Sequence, residues 1–341
     1  MISIWKDIEN KKFSNIYLLF GKESFFIKET KRKLLENVLT EEEMDFNFSS
    51  YDLEETPIEL TLEDAETLPF LGERRLVFLH NPIFLTAEKS KDKAEKMEHH
   101  LKKLEKYLEE PAPFSVIVFI APYEKLDERK KLTKLLKKKA TVLEAKKLNE
   151  QELKKWIVEI AKRNEIEMSN EAIEQLLILA GTDLLQLTNE VEKLSLYASN
   201  TGKIDVEMVQ KLTSRSLEQD IFSIVDRILK RKIDEALRIY YDLLKQKEEP
   251  IKILAIIASQ FRLIYQVKEL SRRGYGQPQI AGAIKVHPFR VKLAAGQARD
   301  FSEQELMRII DLLAQCDYEM KTSSMKKEMI IEMLLFKLHR S

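Results

Sequence analysis

Little in this sequence offers a covalent or redox framework. Cys316 is the only cysteine in 341 residues, so no internal disulfide forms, which fits a reducing cytosol. Glycine is scarce, at 8 residues, and so few flexible points suit a helix-rich chain. Net charge is missing as well. The 57 Lys+Arg balance 57 Asp+Glu, so no global field draws the chain to nucleic acid or anionic lipid, and any such contact needs a local patch. The longest apolar runs, 116–121 and 254–258, fall far short of the ~20 residues of a membrane span. The first residues carry Lys6, Asp7 and Glu9 and no apolar signal core. The expected address is the cytoplasm, with no membrane partner. There is no HExxH, no GxSxG and no Cys/His cluster. Carboxylates are plentiful but sit at helical spacings typical of solvated faces. No catalytic residue, cofactor or metal is expected.

Apolar residues make up 44%, ordinary for a chain that buries a core, while charged residues reach 33% against a usual quarter or so. The length suits about two or three domains. Residues 1–145 alternate strand and helix signals. Strands are predicted at 15–20, closed by Gly21, and at 46–51, 76–80, 116–121 and 141–144; helices at 23–39, 57–67, 90–110 and 126–139. Strands separated by helices predict a parallel α/β sheet. Met97, Leu101, Leu104 and Leu108 give the charge-dense segment 89–110 a helical stripe. His99 and His100 would lie inside that helix, pointing about 100° apart and unable to share a metal.

From Leu148 the pattern is helix only. Asn149 with Glu152 reads as a capping box for a helix to Arg163; Ser169 and Asp183 cap the next two, and 205–212 is a short fourth. A third block opens near Ser216, with helices at 217–229, 233–246, 250–271, 277–284, 288–299, 303–321 and 325–339. Its helix at 250–271 carries a broad apolar face, including Leu254, Ile257, Phe261 and Ile264, fit for burial in a bundle.

The stretch 63–79 organises the rest. It begins helical, breaks at Leu68-Pro69-Phe70-Leu71 and resumes as a strand at Arg75. Proline fixes its own φ and restricts the residue before it, and Gly72 is expected to take the positive φ that ends the turn. Apolar residues on such a turn either cover the core or dock on a partner. Leu68 and Phe70, buried in a partner's pocket, would gain about 1.5–3 kcal/mol each, enough for a hot spot.

The opening strand–Gly–helix invites comparison with a phosphate loop, which needs Gly-x-x-x-x-Gly-Lys-Ser/Thr. Here Ile16 stands where the first glycine belongs, and Glu23 follows Gly21-Lys22 in place of the hydroxyl. The strand end at Ile120-Ala121-Pro122 has no Asp to hold a metal. The segment 125–139 reads as a helix with Leu132, Leu135 and Leu136 inward and cations outward. It is a solvated face or a phosphate contact. Arg262, Lys268, Arg272 and Arg273 form a smaller basic set.

In order along the chain, 17–27, 68–77, 126–132, 216–225 and 317–321 resemble segments of the delta subunit family of bacterial DNA polymerase III. No single motif is strong; the ordered set is. The resemblance implies an AAA+-like parallel α/β domain at 1–140, a small helical lid at 141–210 and a helical collar at 211–341 for oligomerisation. It implies a clamp-loader subunit of the replicative DNA-directed DNA polymerase (a nucleotidyltransferase) that neither binds nor hydrolyses ATP. Leu68 and Phe70, with Leu71 flanking, would enter the sliding clamp and open the ring for loading on primed DNA. Other loader subunits would bind through the collar, and Arg129, Lys130 and Lys134 are candidates for facing DNA. The family's Ser-Arg-Cys triplet is absent. Two other readings stand beside this one: an active AAA+ ATPase with an unusual loop around Gly21 and Lys22, and a non-catalytic helical scaffold whose Leu-Pro-Phe turn covers the core.

Overall fold

A computed structural model describes residues 2–87 and 97–339. The chain divides into two compact units, Met1–Lys147 and Leu148–Ser341. The first is an α/β unit and the second is helical, the α/β plus all-α class expected from the sequence.

In the first unit a parallel sheet is built from β1 (Ile16–Gly21), β2 (Phe48–Asp52), β3 (Arg75–His80), β4 (Ser115–Ala121) and β5 (Thr141–Ala145), in the order β2-β3-β4-β1-β5. The register sets Leu18 beside Phe119 and Val142, and Val77 beside Ile117. Because successive side chains alternate faces, Leu18, Phe20, Val77, Leu79, Ile117 and Phe119 share one core. Strands buried on both faces read as continuous apolar runs, which is why β1 and β4 stand out in the sequence. Around the sheet run α1 (Ile2–Glu9), α2 (Ser24–Val38), α3 (Glu41–Asn47), α4 (Ile58–Ala65), α5 (Leu101–Glu109) and α6 (Lys131–Lys139). Apolar residues of α4, α5 and α6 complete the core just described, while α1 packs on α2, which lies against β1, β3 and β5. Since β5 pairs with β1, the first unit runs on to Lys147.

Several elements differ from expectation. Neither α1 nor α3 is among the expected helices. The first buries Trp5 and Ile8, Trp5 Nε1 donating to Thr30 Oγ1 at 2.7 Å. The second, Glu-Glu-Glu-Met-Asp-Phe-Asn, has no apolar stripe and starts on a capping box in which the Glu43 carboxylate accepts from the Thr40 amide at 2.8 Å. Helix α5 begins only at Leu101, so His99 and His100 lie in irregular chain before it; the rest of the helix predicted at 90–110 lies largely outside the described residues. The basic helix starts at Lys131, leaving 125–130 as a turn.

The second unit contains α7 (Glu150–Arg163), β6 (Glu167–Met168), α8 (Asn170–Ala180), α9 (Leu184–Tyr197), β7 (Lys203–Ile204) and α10 (Val206–Leu212), then α11 (Leu217–Leu229), α12 (Ile233–Lys245), α13 (Pro250–Arg272), α14 (Gln277–Ile284), α15 (Pro288–Ala298), α16 (Glu303–Thr322) and α17 (Lys327–His339). It is not purely helical, because β6 and β7 form a short parallel pair. Two-residue strands carry too little alternation to register in a sequence. The predicted caps hold: Asn149, Ser169 and Asp183 each accept a first-turn amide, and Asp205 and Ser216 do the same for α10 and α11. Helix α13 is long and apolar enough to cross a membrane by length and composition, yet its Ile253, Leu254, Ile257, Phe261, Ile264 and Val267 are buried in the bundle core.

Candidate functional site

Leu68, Phe70 and Leu71 are 73%, 56% and 83% exposed. They stand on the turn between α4 and β3 and do not cover the core. Phe46, at the end of α3, and Leu60, on α4, are also more than half exposed, and the Phe46 and Phe70 rings lie 5.2 Å apart, tilted by 53°. Phe46 and Phe70 thus form one exposed apolar pair outside the core, with Leu68 and Leu71 next to it along the chain.

The turn is held from several sides. Asn47, wholly buried, donates from Nδ2 to the Phe70 carbonyl at 2.8 Å and accepts at Oδ1 from the Phe70 amide at 2.6 Å. Buried Arg75, at the start of β3, donates to the Phe46 carbonyl at 3.3 Å and pairs with Asp64 of α4. Ser115 Oγ of β4 donates to the Ala65 carbonyl at the last turn of α4. The expectation for Gly72 is corrected: the positive φ, 51°, falls on Leu71. Gly72 serves close approach instead, since a Cβ there would strike the Glu43 carboxylate and come within 3.2 Å of Asn47 Nδ2. Asn47, Glu43 and Arg75 were not singled out from sequence. A buried Asn ending a short, stripe-less helix leaves no periodic signal.

At its other end, α4 meets His99. The His99 Nδ1 accepts from the Ile58 amide, the first of the helix, at 3.2 Å, and the ring packs edge-on to Phe84 at 5.2 Å. Burial lowers the His99 pKa, against the opposing pull of Glu59, so the ring is the neutral acceptor that this contact requires.

The strand–Gly–helix junction after β1 is closed by the chain itself. Gly21 has φ 130° and lies so near the Ala145 backbone that any Cβ would collide with it. The Glu23 amide donates to the Ala145 carbonyl at 2.9 Å. The Glu23 carboxylate caps α2, accepting from the Phe25 amide at 3.3 Å. A carboxylate thus stands at the helix N-terminus that a phosphate loop offers to its nucleotide.

The basic segment divides by role. Lys130 Nζ donates to the carbonyls of Phe84 and Thr86, both at 2.9 Å, so its ammonium serves a neighbouring turn and is a poor candidate for phosphate. Arg129 holds Asp127 through Nε and Nη2 at 2.8 and 2.9 Å; the guanidinium lowers the Asp127 carboxyl to about 2. Lys134 is exposed on α6.

Two family models match the chain: one described as DNA polymerase III, delta subunit, over residues 17–146, and one described as DNA polymerase III delta subunit, C-terminal domain, over 218–338. The DNA polymerase III subunit delta of Bacillus subtilis is 48% identical over 338 residues, spanning 99% of this chain and 96% of the relative. A probable DNA polymerase III subunit delta of Aquifex aeolicus is 30% identical over 161 residues, 46% of each chain. Among solved structures, the Bacillus subtilis DNA clamp loader delta protein superposes with a TM-score of 0.85 at 48% identity, covering 100% of this chain and 99% of its own.

Proposed function

The chain belongs to the DNA polymerase III delta subunit family, and from that membership we propose that it grips the sliding clamp through the turn at Leu68, Phe70 and Leu71 and opens the ring for loading on primed DNA. The chain is a delta subunit of the clamp loader; how it engages the clamp is what this reading adds. The observation that carries it is the exposure of those three side chains on a turn fixed by a buried asparagine. Leu68 and Phe70 enter an apolar pocket on the ring, Leu71 flanks them, and α4 presses beside them. A ring shifts from closed to open only if the docked protein binds the open form better; the turn and α4 acting together provide that difference.

The closed junction at Gly21 and Glu23 supports a subunit that takes no ATP of its own and relies on neighbours for hydrolysis. With 141–147 belonging to the sheet unit, residues 148–210 act as the lid and 211–341 as the collar that joins the other loader subunits. The exposed Met329, Met333 and Phe336 on one side of α17 supply a surface for such a joint. Of the three basic candidates Arg129, Lys130 and Lys134, Arg129 and Lys134 are the two left to face DNA. The working compartment is the cytoplasm.

Affinity for purified clamp, compared between the wild-type chain and Leu68→Ala with Phe70→Ala, decides the matter. Each buried side chain contributes about 1.5–3 kcal/mol, so the double variant loses about two to four decades of affinity while its thermal unfolding stays close to wild type. Unchanged clamp affinity overturns the assignment.

A further inference from the structure

We propose that α3 is the second half of the docking element: Phe46 is a third apolar anchor beside Phe70, and Asn47 is the positioning residue that presets the Phe70 peptide for docking. This rests on the reading that Leu68 and Phe70 enter the clamp.

Phe46 sits two residues before β2 takes the chain into the sheet, yet its ring stays outside, 56% exposed. It stands against the ring of Phe70, so the two present one continuous apolar face, as clustered hot-spot residues do. Its place is not accidental to a loose loop. Arg75 binds the Phe46 carbonyl and the Asp64 carboxylate, so one buried guanidinium ties the last turn of α3 to α4, on either side of the docking turn. A partner that covers Phe70 therefore meets Phe46 as well.

Asn47 cannot touch a docked protein, because it is wholly buried. Its side-chain amide meets the Phe70 peptide with both a donor and an acceptor, the paired pattern that a neighbouring strand would give. Phe70 lies between Pro69 and a leucine in the left-handed region, a conformation L-residues rarely adopt. Asn47 holds that conformation before the partner arrives, which lowers the ordering cost of association.

The test uses the full chain and, as probe, the purified sliding clamp of the same organism. Phe46→Ala weakens clamp binding about ten-fold with the melting temperature unchanged. Asn47→Ala weakens it by a similar factor and speeds hydrogen exchange at the Phe70 and Leu71 amides while the β3 and β4 amides stay protected. Because Asn47→Ala empties a buried site, Gly72→Ala serves as a second variant: its methyl pushes on Asn47 and Glu43 without hollowing the core, and the same loss of affinity and faster exchange are expected. Affinity within about two-fold of wild type for Phe46→Ala leaves that ring a mere shield. Faster exchange at Phe70 with undiminished binding, in either Asn47→Ala or Gly72→Ala, overturns the positioning role. Should Leu68→Ala with Phe70→Ala still bind, both the docking reading and this inference fail; should it lose binding while the Phe46, Asn47 and Gly72 variants keep theirs, only this inference fails.

Discussion

At Gly21 the chain passes so close to the Ala145 backbone that a methyl group has no room, and φ is positive as well. Neither obstacle is a side chain that could move aside. Gly21→Ala is therefore expected to cost about 3 kcal/mol or more, read as a lower urea midpoint with an unchanged slope. Single residues were partly legible in the sequence. Gly21 and Glu23 were visible as departures from a phosphate loop, and the structure adds what they do instead: one lets two strands meet, the other caps α2. That Leu68, Phe70 and Leu71 sit on a turn was legible because proline and glycine frame them. Gly72 was misread, since a glycine needed for lack of a side chain looks the same in sequence as one needed for its φ. Asn47 was not legible at all, because its partner is the backbone of a residue 23 positions away.

Among the elements, α4 leads into the proposed docking turn, and its first turn is expected to be sensitive to pH. His99 accepts from the Ile58 amide only while its Nδ1 is unprotonated. Burial lowers the His99 pKa from 6.5. His80 shifts the same way through burial and the nearby Lys31. For both rings the folded state binds fewer protons than the unfolded chain. Stability is thus full above about 6.5 and falls as acid carries the unfolded histidines through their own pKa. Unfolding free energies followed from pH 7.5 to 5 should decline, and His99→Gln should flatten that slope, leaving the share due to His80. Helices with a clear stripe or caps, such as α7 and α13, were legible almost to the residue. The short α1 and α3, of eight and seven residues, were missed, α3 despite its capping box; α5 was drawn too long because charged residues at helical spacing continue past its start.

For the molecule as a whole, the division into a sheet unit and a helical unit was plain from where strand signals stop. Which surfaces of the helical unit meet other chains was not, since an exposed Met reads like any other helix position. Helix α17 buries Ile330, Ile331, Leu334, Leu335 and Leu338 in the bundle, and its outer Met329, Met333 and Phe336 remain about half exposed. Met329→Asp with Met333→Asp should keep the fold and clamp binding but abolish co-elution with the other loader subunits in size-exclusion chromatography. Normal assembly would place the collar contact on another face. The clamped turn, finally, bears on speed. A binding element that is rigid in the free protein meets its target as one solid body meets another. Association should follow a single exponential, with a second-order constant on the order of 10⁵–10⁷ M⁻¹s⁻¹, and no slow, concentration-independent phase should follow the encounter.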